Sequence, residues 1–243
     1  MIKLAPALLV VSLSLSPPAS AEPLDQIRFT HWGALPLSFL DRRPYFLPRE
    51  ELLAFPVAAP PANSAPSTRR ELDELLELER ARTQAERRSI EQHREYAGVC
   101  GAFFAALHRA PASAPKTMAL LEHVDQDATV AVFNAKRRFE RARPHQLEPR
   151  LAPSIPVPPH PAYPSGHALQ GHLVARVLAS LVPRERETLL ALGVQIGRER
   201  EIAGLHYPSD SAASRALGEL LFARLERDAR FRAELDAARA EWP

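Results

Sequence analysis

Helical periodicity marks most of the chain from about residue 67 onwards. Residues 67–97 carry apolar side chains at helical spacing, and Ser67 or Thr68 is suited to cap the start of a helix. The apolar stripe consists of Leu72, Leu75, Leu76 and Leu78. The pattern predicts an amphipathic helix in this segment.

Prolines mark the ends of the other predicted helices, because proline cannot continue the helical hydrogen-bond ladder. The predicted helices cover residues 98–109 and 115–143, resume after Pro164, and then run from Pro183 to about Ile202 and from near Pro208 to Trp242. No segment alternates apolar and polar residues over a convincing strand length. The predicted fold class is therefore all-α, a compact helical bundle.

The same punctuation divides the chain into three parts. Residues 1–21 are a candidate export signal, residues 22–66 an irregular, proline-rich N-terminal arm expected to wrap the surface, and residues 67–243 a helical domain. Within that domain, residues 144–164 hold 8 prolines in 21 positions. This loop is expected to be stiff, because proline removes conformational freedom from the unfolded chain.

The N-terminus has the three parts of a secretory signal peptide. Lys3 supplies a positive start, "LAPALLVVSLSLS" an apolar run, and Ala19-Ser20-Ala21 a small-residue cleavage site. Pro17 and Pro18 interrupt the run well short of a membrane span, which makes an uncleaved anchor the weaker interpretation. We expect cleavage after Ala21 and a periplasmic or secreted location.

Charge and cysteine content narrow the function classes. Without residues 1–21 the 31 Lys and Arg become 30 against 29 Asp and Glu, a net charge of +1, which argues against bulk nucleic-acid binding. No later segment approaches 18 consecutive apolar residues, so stable membrane insertion is not expected. Cys100 is the only cysteine, and its apolar neighbours predict a buried, inert thiol.

The first cluster of candidate site residues consists of two cations. Lys136 and Arg143 lie seven residues apart, a spacing that would place both on one face of the predicted helix. The alternative is a solvated basic face, since Arg137, Arg138 and Arg141 lie in the same run.

The second cluster is P-S-G-H, residues 164–167. Ser165 suits a helix N-cap, Gly166 lets a ligand approach the bare backbone, and the free N–H groups of a first helical turn favour an anion. His167 would lie beside that anion. The alternative is a capped helix with an incidental surface histidine.

The third cluster is Arg200, His206 and Asp210, spaced R-x5-H-x3-D. Asp210 is close enough in sequence to bind one ring nitrogen of His206, which leaves the other nitrogen as a nucleophile or a base. The alternative is a structural His–Asp pair that ties a loop to a helix.

Taken together, the three clusters are typical of a phosphate site. A phosphoryl group spreads negative charge over its oxygens, and arginine, lysine and backbone N–H groups suit that distribution. Three protein cations and backbone donors would neutralise the phosphate, so no metal or other cofactor is expected. The remaining histidines show no metal-ligand spacing: His31, His93, His108, His123 and His160.

The ordered motifs K-x6-R-P, P-S-G-H and R-x5-H-x3-D resemble the signature of the type 2 phosphatidic acid phosphatase (PAP2) superfamily, which also holds the vanadium haloperoxidases. Within it, the chain is most similar to the soluble bacterial class A non-specific acid phosphatases. The likeness extends to the export signal, residues 55–88 and residues 229–242. It implies the helical bundle of that superfamily, a small phosphate ester as substrate, and a homo-oligomer in many members.

The resemblance also implies a role for each residue of the motifs. His206 would be the nucleophile that forms a phosphohistidine, Asp210 would orient it, and His167 would act as general acid and then general base. The phosphate oxygens would be held by Lys136, Arg143, Ser165, the Gly166 amide and Arg200.

The chain departs from the usual family pattern at several positions. Glu199 stands where a serine usually precedes the third-motif arginine, Ala168 follows the P-S-G-H histidine, His145 replaces a frequent phenylalanine, and paired cysteines are missing. These changes leave the three motifs intact but bear on substrate preference and pH optimum.

Three other functions stay open. A phosphatase acting on lipid phosphates or pyrophosphates is one; a vanadium haloperoxidase, in which His206 would ligate vanadium, is another. The third is a phosphate-binding module without turnover, against which the two histidines argue, because binding an anion requires cations but no general acid.

Overall fold

The computed structural model describes residues 23–242, so the predicted signal peptide lies outside the described residues. Within this range the regular structure is helical, apart from one isolated antiparallel bridge between Arg28 and Arg141. The all-α prediction is confirmed. The α-helices are α1 Ala34–Ser38, α2 Arg49–Ala54, α3 Pro66–Ala81, α4 Gln84–Gln92, α5 Tyr96–Ala106, α6 Pro115–Phe139, α7 Pro144–Leu147, α8 Gly166–Leu181, α9 Arg186–Ile202, α10 Pro208–Leu225 and α11 Ala229–Arg239.

Helices α8 and α9 form an antiparallel hairpin at the centre of the bundle. The two backbones touch at a pair of glycines: a Cβ on Gly193 would lie 2.8 Å from the carbonyl oxygen of Gly171. The connection covers residues 182–185 only, so the first turn of α8 and the last turn of α9 lie at the same end of the bundle. His167 and Arg200 occupy those two turns.

Several helix ends differ from the predicted ones. The predicted helix over residues 67–97 is interrupted at Arg82, because Thr83 and Glu86 form a capping box that starts α4. The last predicted helix is interrupted before Asp228, which accepts hydrogen bonds from the first turn of α11. Helix α6 ends at Phe139, since Glu140 adopts a left-handed conformation with φ of 47°.

The N-terminal arm contains more structure than its prolines suggest. The prediction of an irregular segment is partly wrong, because α1 and α2 lie within residues 22–66. One carboxylate of α6, Asp127, fixes the arm by accepting hydrogen bonds from the backbone N–H groups of Tyr45, Phe46 and Leu47. The arm is thus attached to the longest helix of the bundle.

Cys100 lies in α5 and is fully buried, as predicted. Burial is the main cause that raises the pKa of its thiol to about 12. Among residues 23–242, we find no helix with both the length and the apolar surface that a membrane crossing requires.

Candidate active site

Five neighbouring helix ends bring the predicted site residues together. Lys136 lies in α6, Arg143 is the N-cap of α7, Ser165 is the N-cap of α8, Arg200 is in the last turn of α9, and Asp210 is in the first turn of α10. All five are buried. Gly166 and His167 are only partly buried, which makes them the outward side of the cluster.

One part of the sequence interpretation is wrong. Lys136 and Arg143 do not project from one helix face, because α6 has ended four residues before Arg143 and the chain has turned at Glu140. The two cations meet by a change of chain direction.

His206 follows a tight turn between α9 and α10. Gly204 has a φ of +76°, a conformation that favours glycine, and the turn directs the next residues back into the bundle. The His206 Nδ1 atom lies 3.0 Å from Oδ2 of Asp210. The Tyr207 backbone N–H donates to the same carboxylate oxygen at 3.0 Å. The predicted His–Asp contact is therefore formed, and an Nδ1–H donated to Asp210 leaves Nε2 unprotonated.

The Asp210 carboxylate remains ionised although it is fully buried. Burial alone would raise its pKa, but the charge of Arg141 and the hydrogen bond from His206 outweigh burial and lower the pKa to about 2. Arg141 contacts the second carboxylate oxygen, with Nη1 2.6 Å from Oδ1.

The other edge of the His206 ring faces a guanidinium. Nη1 of Arg143 lies 3.0 Å from Nε2 of His206 and donates to the Leu205 carbonyl at 2.8 Å. Burial and the charge of Arg143 hold the pKa of His206 well below its ordinary value, so the ring is neutral near pH 7. A neutral ring with an unprotonated Nε2 is the form that a nucleophile requires.

Lys136 fastens the proline-rich loop to the site. Its ammonium donates to three backbone carbonyls, those of Pro161 at 2.8 Å, Ala162 at 3.1 Å and Pro164 at 2.6 Å. Burial, followed by the charge of Arg143, holds the pKa of Lys136 well below its ordinary value. The stiff loop predicted for residues 144–164 thus ends on a buried cation.

Ser165 caps α8 as predicted, since its hydroxyl accepts the Ala168 N–H at 3.4 Å. Its backbone is joined to α10: the Ser165 N–H donates to the Asp210 carbonyl at 3.3 Å, and the Ser214 hydroxyl donates to the Ser165 carbonyl at 2.6 Å. A Cβ placed on Gly166 would meet no atom within 4 Å, so the backbone there faces open space. The start of α8 is both fixed and accessible.

Arg200 is bonded to the C-terminal end of α4, and His167 to the connection that follows it. Nε2 of His167 lies 2.9 Å from the Arg94 carbonyl, and Nη2 of Arg200 donates to the Ile90 carbonyl at 2.8 Å. Burial and the charge of Arg200 lower the pKa of His167 to about 3. The buried Nε of Arg200 has no hydrogen-bond partner among residues 23–242.

Glu199 stays close to Arg200 but bonds elsewhere. Its carboxylate accepts a hydrogen bond from Ser89 at 2.6 Å and lies 2.7 Å from Nδ1 of His93, whereas Nη2 of Arg200 is 3.7 Å away. The carboxylate that replaces the usual serine therefore attaches α9 to the end of α4.

Both candidate catalytic rings lie within range of one buried charge. The ammonium of Lys136 contributes to the lowered pKa of His206 and also to that of His167. The charge of Lys136, from the first cluster, thus acts on the histidine of each of the other two clusters.

Two residues of the cluster were not predicted. His160 lies with Nδ1 3.1 Å from Nη2 of Arg143, and Arg141 binds Asp210. Arg141 was considered only as part of the alternative, a solvated basic face. The only available signal was their position within two or four residues of a motif. For the described part of the chain, no three His, Cys, Asp or Glu side chains come together in a metal-binding arrangement.

Comparison with known proteins places this arrangement in a family. The family model of the PAP2 superfamily matches residues 118–231, which include all three motifs. A non-specific acid phosphatase of Salmonella typhimurium is 32% identical over 136 residues, covering 54% of this chain and 54% of that protein. A lipid A 1-phosphatase of Rhizobium etli is 36% identical over 87 residues, or 34% of this chain and 38% of that protein. The chain spans about half the length of the acid phosphatases that it matches.

A structural neighbour supports the same assignment at the level of the fold. A bacterial vanadium-dependent iodoperoxidase superposes with a TM-score of 0.62 at 17% identity, covering 82% of this chain and 61% of that one. The family model matches residues 118–231, the three motifs lie within them, and this region of the chain belongs to the PAP2 superfamily.

Proposed function

We propose that the protein is a metal-independent phosphomonoesterase that works through a phosphohistidine on His206. The observation that supports this most directly is the orientation of the His206 ring, with Nδ1 held by Asp210 and Nε2 turned towards Arg143. The acid phosphatases among its relatives support a phosphate monoester as substrate.

The first proposed step transfers the phosphoryl group to the protein. The Nε2 lone pair of His206 attacks phosphorus, the ester P–O bond breaks, and its electron pair stays on the leaving oxygen. A protonated His167 gives that oxygen its proton, so that an alcohol leaves. The positive charge that develops on the His206 ring is stabilised by the ionised Asp210.

The second proposed step releases phosphate. His167, now neutral, takes a proton from a water molecule whose oxygen attacks phosphorus, and the P–N bond to His206 breaks with its electrons returning to Nε2. The protein is restored, and the net reaction consumes one water per ester.

The phosphate oxygens would be held by Lys136, Arg143, Arg200, the Ser165 hydroxyl and the Gly166 amide. Several of these donors are bonded to backbone carbonyls, such as those of Pro164 and Ile90. A bound dianion would replace these neutral acceptors with charged oxygens, which form stronger hydrogen bonds with cationic donors. Binding would therefore loosen the contacts of the loop 161–164 and of α4.

The test is hydrolysis of p-nitrophenyl phosphate by the purified protein. We expect turnover that survives EDTA and is blocked by vanadate, which imitates pentacoordinate phosphorus. His206→Ala is expected to lower kcat by about 1,000-fold or more. His31→Ala, which changes an exposed histidine, is the matched control.

Rapid quench with a 32P-labelled ester distinguishes catalysis from binding alone. The wild type should yield acid-labile, base-stable label on histidine, and His206→Ala should yield none. Full activity of His206→Ala would refute the assignment of His206 as the nucleophile. Loss of activity in EDTA would refute the proposal that the reaction needs no metal.

A lipid phosphate is a second candidate substrate, because lipid A 1-phosphatases of Rhizobium match the chain at 36% identity over 87 residues. Soluble esters and a lipid A phosphate in detergent micelles, compared by kcat/KM at equal ionic strength, separate the two classes. The haloperoxidase alternative predicts peroxide-dependent halide oxidation with added vanadate.

We also propose export, with cleavage after Ala21. N-terminal sequencing of the protein recovered from a bacterial periplasm tests the position of the cut.

A further inference from the structure

Arg141 is a buried cation that the proposed mechanism does not use. Its side chain lies between two carboxylates, with Nη1 2.6 Å from Oδ1 of Asp210 and Nη2 3.3 Å from Oε2 of Glu71. Its guanidinium covers the Tyr207 ring at 3.8 Å from the centroid. The two carboxylates and the aromatic ring together hold the guanidinium in one orientation.

Glu71 comes from α3 and reaches the same corner by a second route. It accepts hydrogen bonds from the backbone N–H of Ser209 at 2.6 Å and from the Ser209 hydroxyl at 2.9 Å. The Ser209 hydroxyl also accepts from Nη1 of Arg141 at 2.8 Å. Glu71 therefore fixes both Arg141 and the residue that precedes Asp210.

These contacts decide what Asp210 can do for His206. With Oδ1 bound to Arg141, the other oxygen, Oδ2, is directed to Nδ1 of His206 at 3.0 Å. Burial opposes ionisation of Asp210, and the charge of Arg141 is the largest influence that opposes burial. The titratable and charged groups that act on Asp210 or respond to its charge are Arg141, His206, Lys136, Arg143, Tyr163 and Tyr207.

We infer that Arg141, held in place by Glu71, is a positioning residue that keeps the Asp210 carboxylate directed at the ring of His206. The kinetic consequences of this inference rest on the proposed function. The contacts of Arg141 and Glu71 do not depend on it. Arg141 is distinct from the residues that would hold phosphate, because its donors are turned to Asp210, Ser209 and Glu71. Glu71 lies outside residues 118–231, so the matched family region depends on α3 for the geometry of its nucleophile.

The kinetic test compares variants at the two positions. Arg141→Gln is expected to lower kcat at least about tenfold with KM within about twofold of wild type, because the affected group acts on the nucleophile and not on the bound ester. Arg141→Lys should recover part of the loss, since it restores the charge without the fork. Glu71→Gln should lower kcat by a smaller factor.

The pH profile gives a result that a purely structural role would not. Without the charge of Arg141, the pKa of Asp210 should rise, and the acid limb of kcat/KM should move up by about one pH unit in Arg141→Gln. Glu71→Gln removes a negative charge and should not move that limb upwards.

Glu74→Gln is the matched control. Glu74 lies one turn along α3 and pairs with Arg198 of α9 at 2.7 Å, but this pair is on the surface and has no contact with Asp210. The control variant should keep the wild-type kcat and pH profile.

A spectroscopic measurement tests the inference without turnover. In 15N-histidine spectra, the wild-type His206 ring should be the neutral tautomer protonated at Nδ1, and Arg141→Gln should show a mixture of tautomers. If Arg141→Gln does not fold, Arg141→Lys and Glu71→Gln carry the comparison. An unchanged tautomer with unchanged kcat and acid limb in the folded variants would overturn the inference, whereas hydrolysis by His206→Ala would overturn only the proposed function.

Discussion

At the scale of the residue, burial and a neighbouring arginine lower the pKa of both candidate catalytic histidines, but the two rings have different partners. His206 lies in the interior against Arg143, and His167 is at the outer side against Arg200. Only His206 has a carboxylate partner, Asp210, that holds one tautomer. In the proposed mechanism the nucleophile is thus prepared in the free protein, whereas the general acid must acquire its proton when the anion arrives.

This difference predicts that anion binding takes up protons. The pKa of His167 is lowered from 6.5 to about 3, so its ring is unprotonated between pH 5 and 7. A dianion beside the ring raises that pKa, and a ligand that raises a pKa binds more tightly as the pH falls. Sulfate, which has no proton of its own to give at these pH values, should bind up to about tenfold more tightly per unit of falling pH.

Calorimetry in two buffers of different ionisation enthalpy measures the uptake directly. His167→Asn should bind sulfate with less proton uptake and a flatter pH dependence. Equal uptake in the variant and the wild type would show that another group receives the proton.

At the scale of the element, the α8–α9 hairpin sets the distance between the anion-accepting helix start and Arg200. A Cβ on Gly193 would lie 2.8 Å from the Gly171 carbonyl oxygen and 3.0 Å from Cβ of Ala175. Backbone cannot move aside as a flexible side chain can, so any larger residue must separate the two helices.

Gly193→Ala is therefore expected to destabilise the protein by about 2 kcal/mol and to reduce kcat/KM, since the end of α9 would move away from α8. Gly101→Ala is the control: it also lies within a helix, and its added Cβ would meet no atom within 4 Å. The control should be stabilised by up to about 1 kcal/mol, because alanine favours the helix. Urea unfolding measures both, and a similar loss in the two variants would contradict the argument.

The comparison of sequence and structure also belongs to this scale. Helix starts at Pro115, Gly166 and Pro208 were predictable, because proline and an N-capping serine act locally. The end of α6 was not, since Glu140 adopts its left-handed conformation without glycine or proline to announce it. The contact of Asp210 with His206 followed from spacing of four residues, whereas that of Arg141 joins groups 69 residues apart. Periodicity and local spacing in the sequence cannot predict a contact between residues so far apart in the chain.

At the scale of the whole molecule, the candidate site depends on parts of the chain that the motifs do not mention. The end of α4 and the connection after it contribute the carbonyls that bind Arg200 and His167, and α3 contributes Glu71. Both helices precede the matched region 118–231. A truncated protein that keeps all three motifs but lacks this part of the chain would therefore lose contacts that hold Arg200, His167 and Arg141 in place.

The single thiol allows the opening of this bundle to be measured by chemical labelling. Cys100 is fully buried within α5, and the pKa of its thiol is raised to about 12. A disulfide reagent such as Ellman's should consequently modify the native protein far more slowly than a free cysteine, and stoichiometrically, at one group per chain, once urea unfolds it. Rapid modification of the native protein would contradict this burial. The rate of thiol labelling then reports how readily the bundle opens, and it can be compared among all the variants above without an added probe.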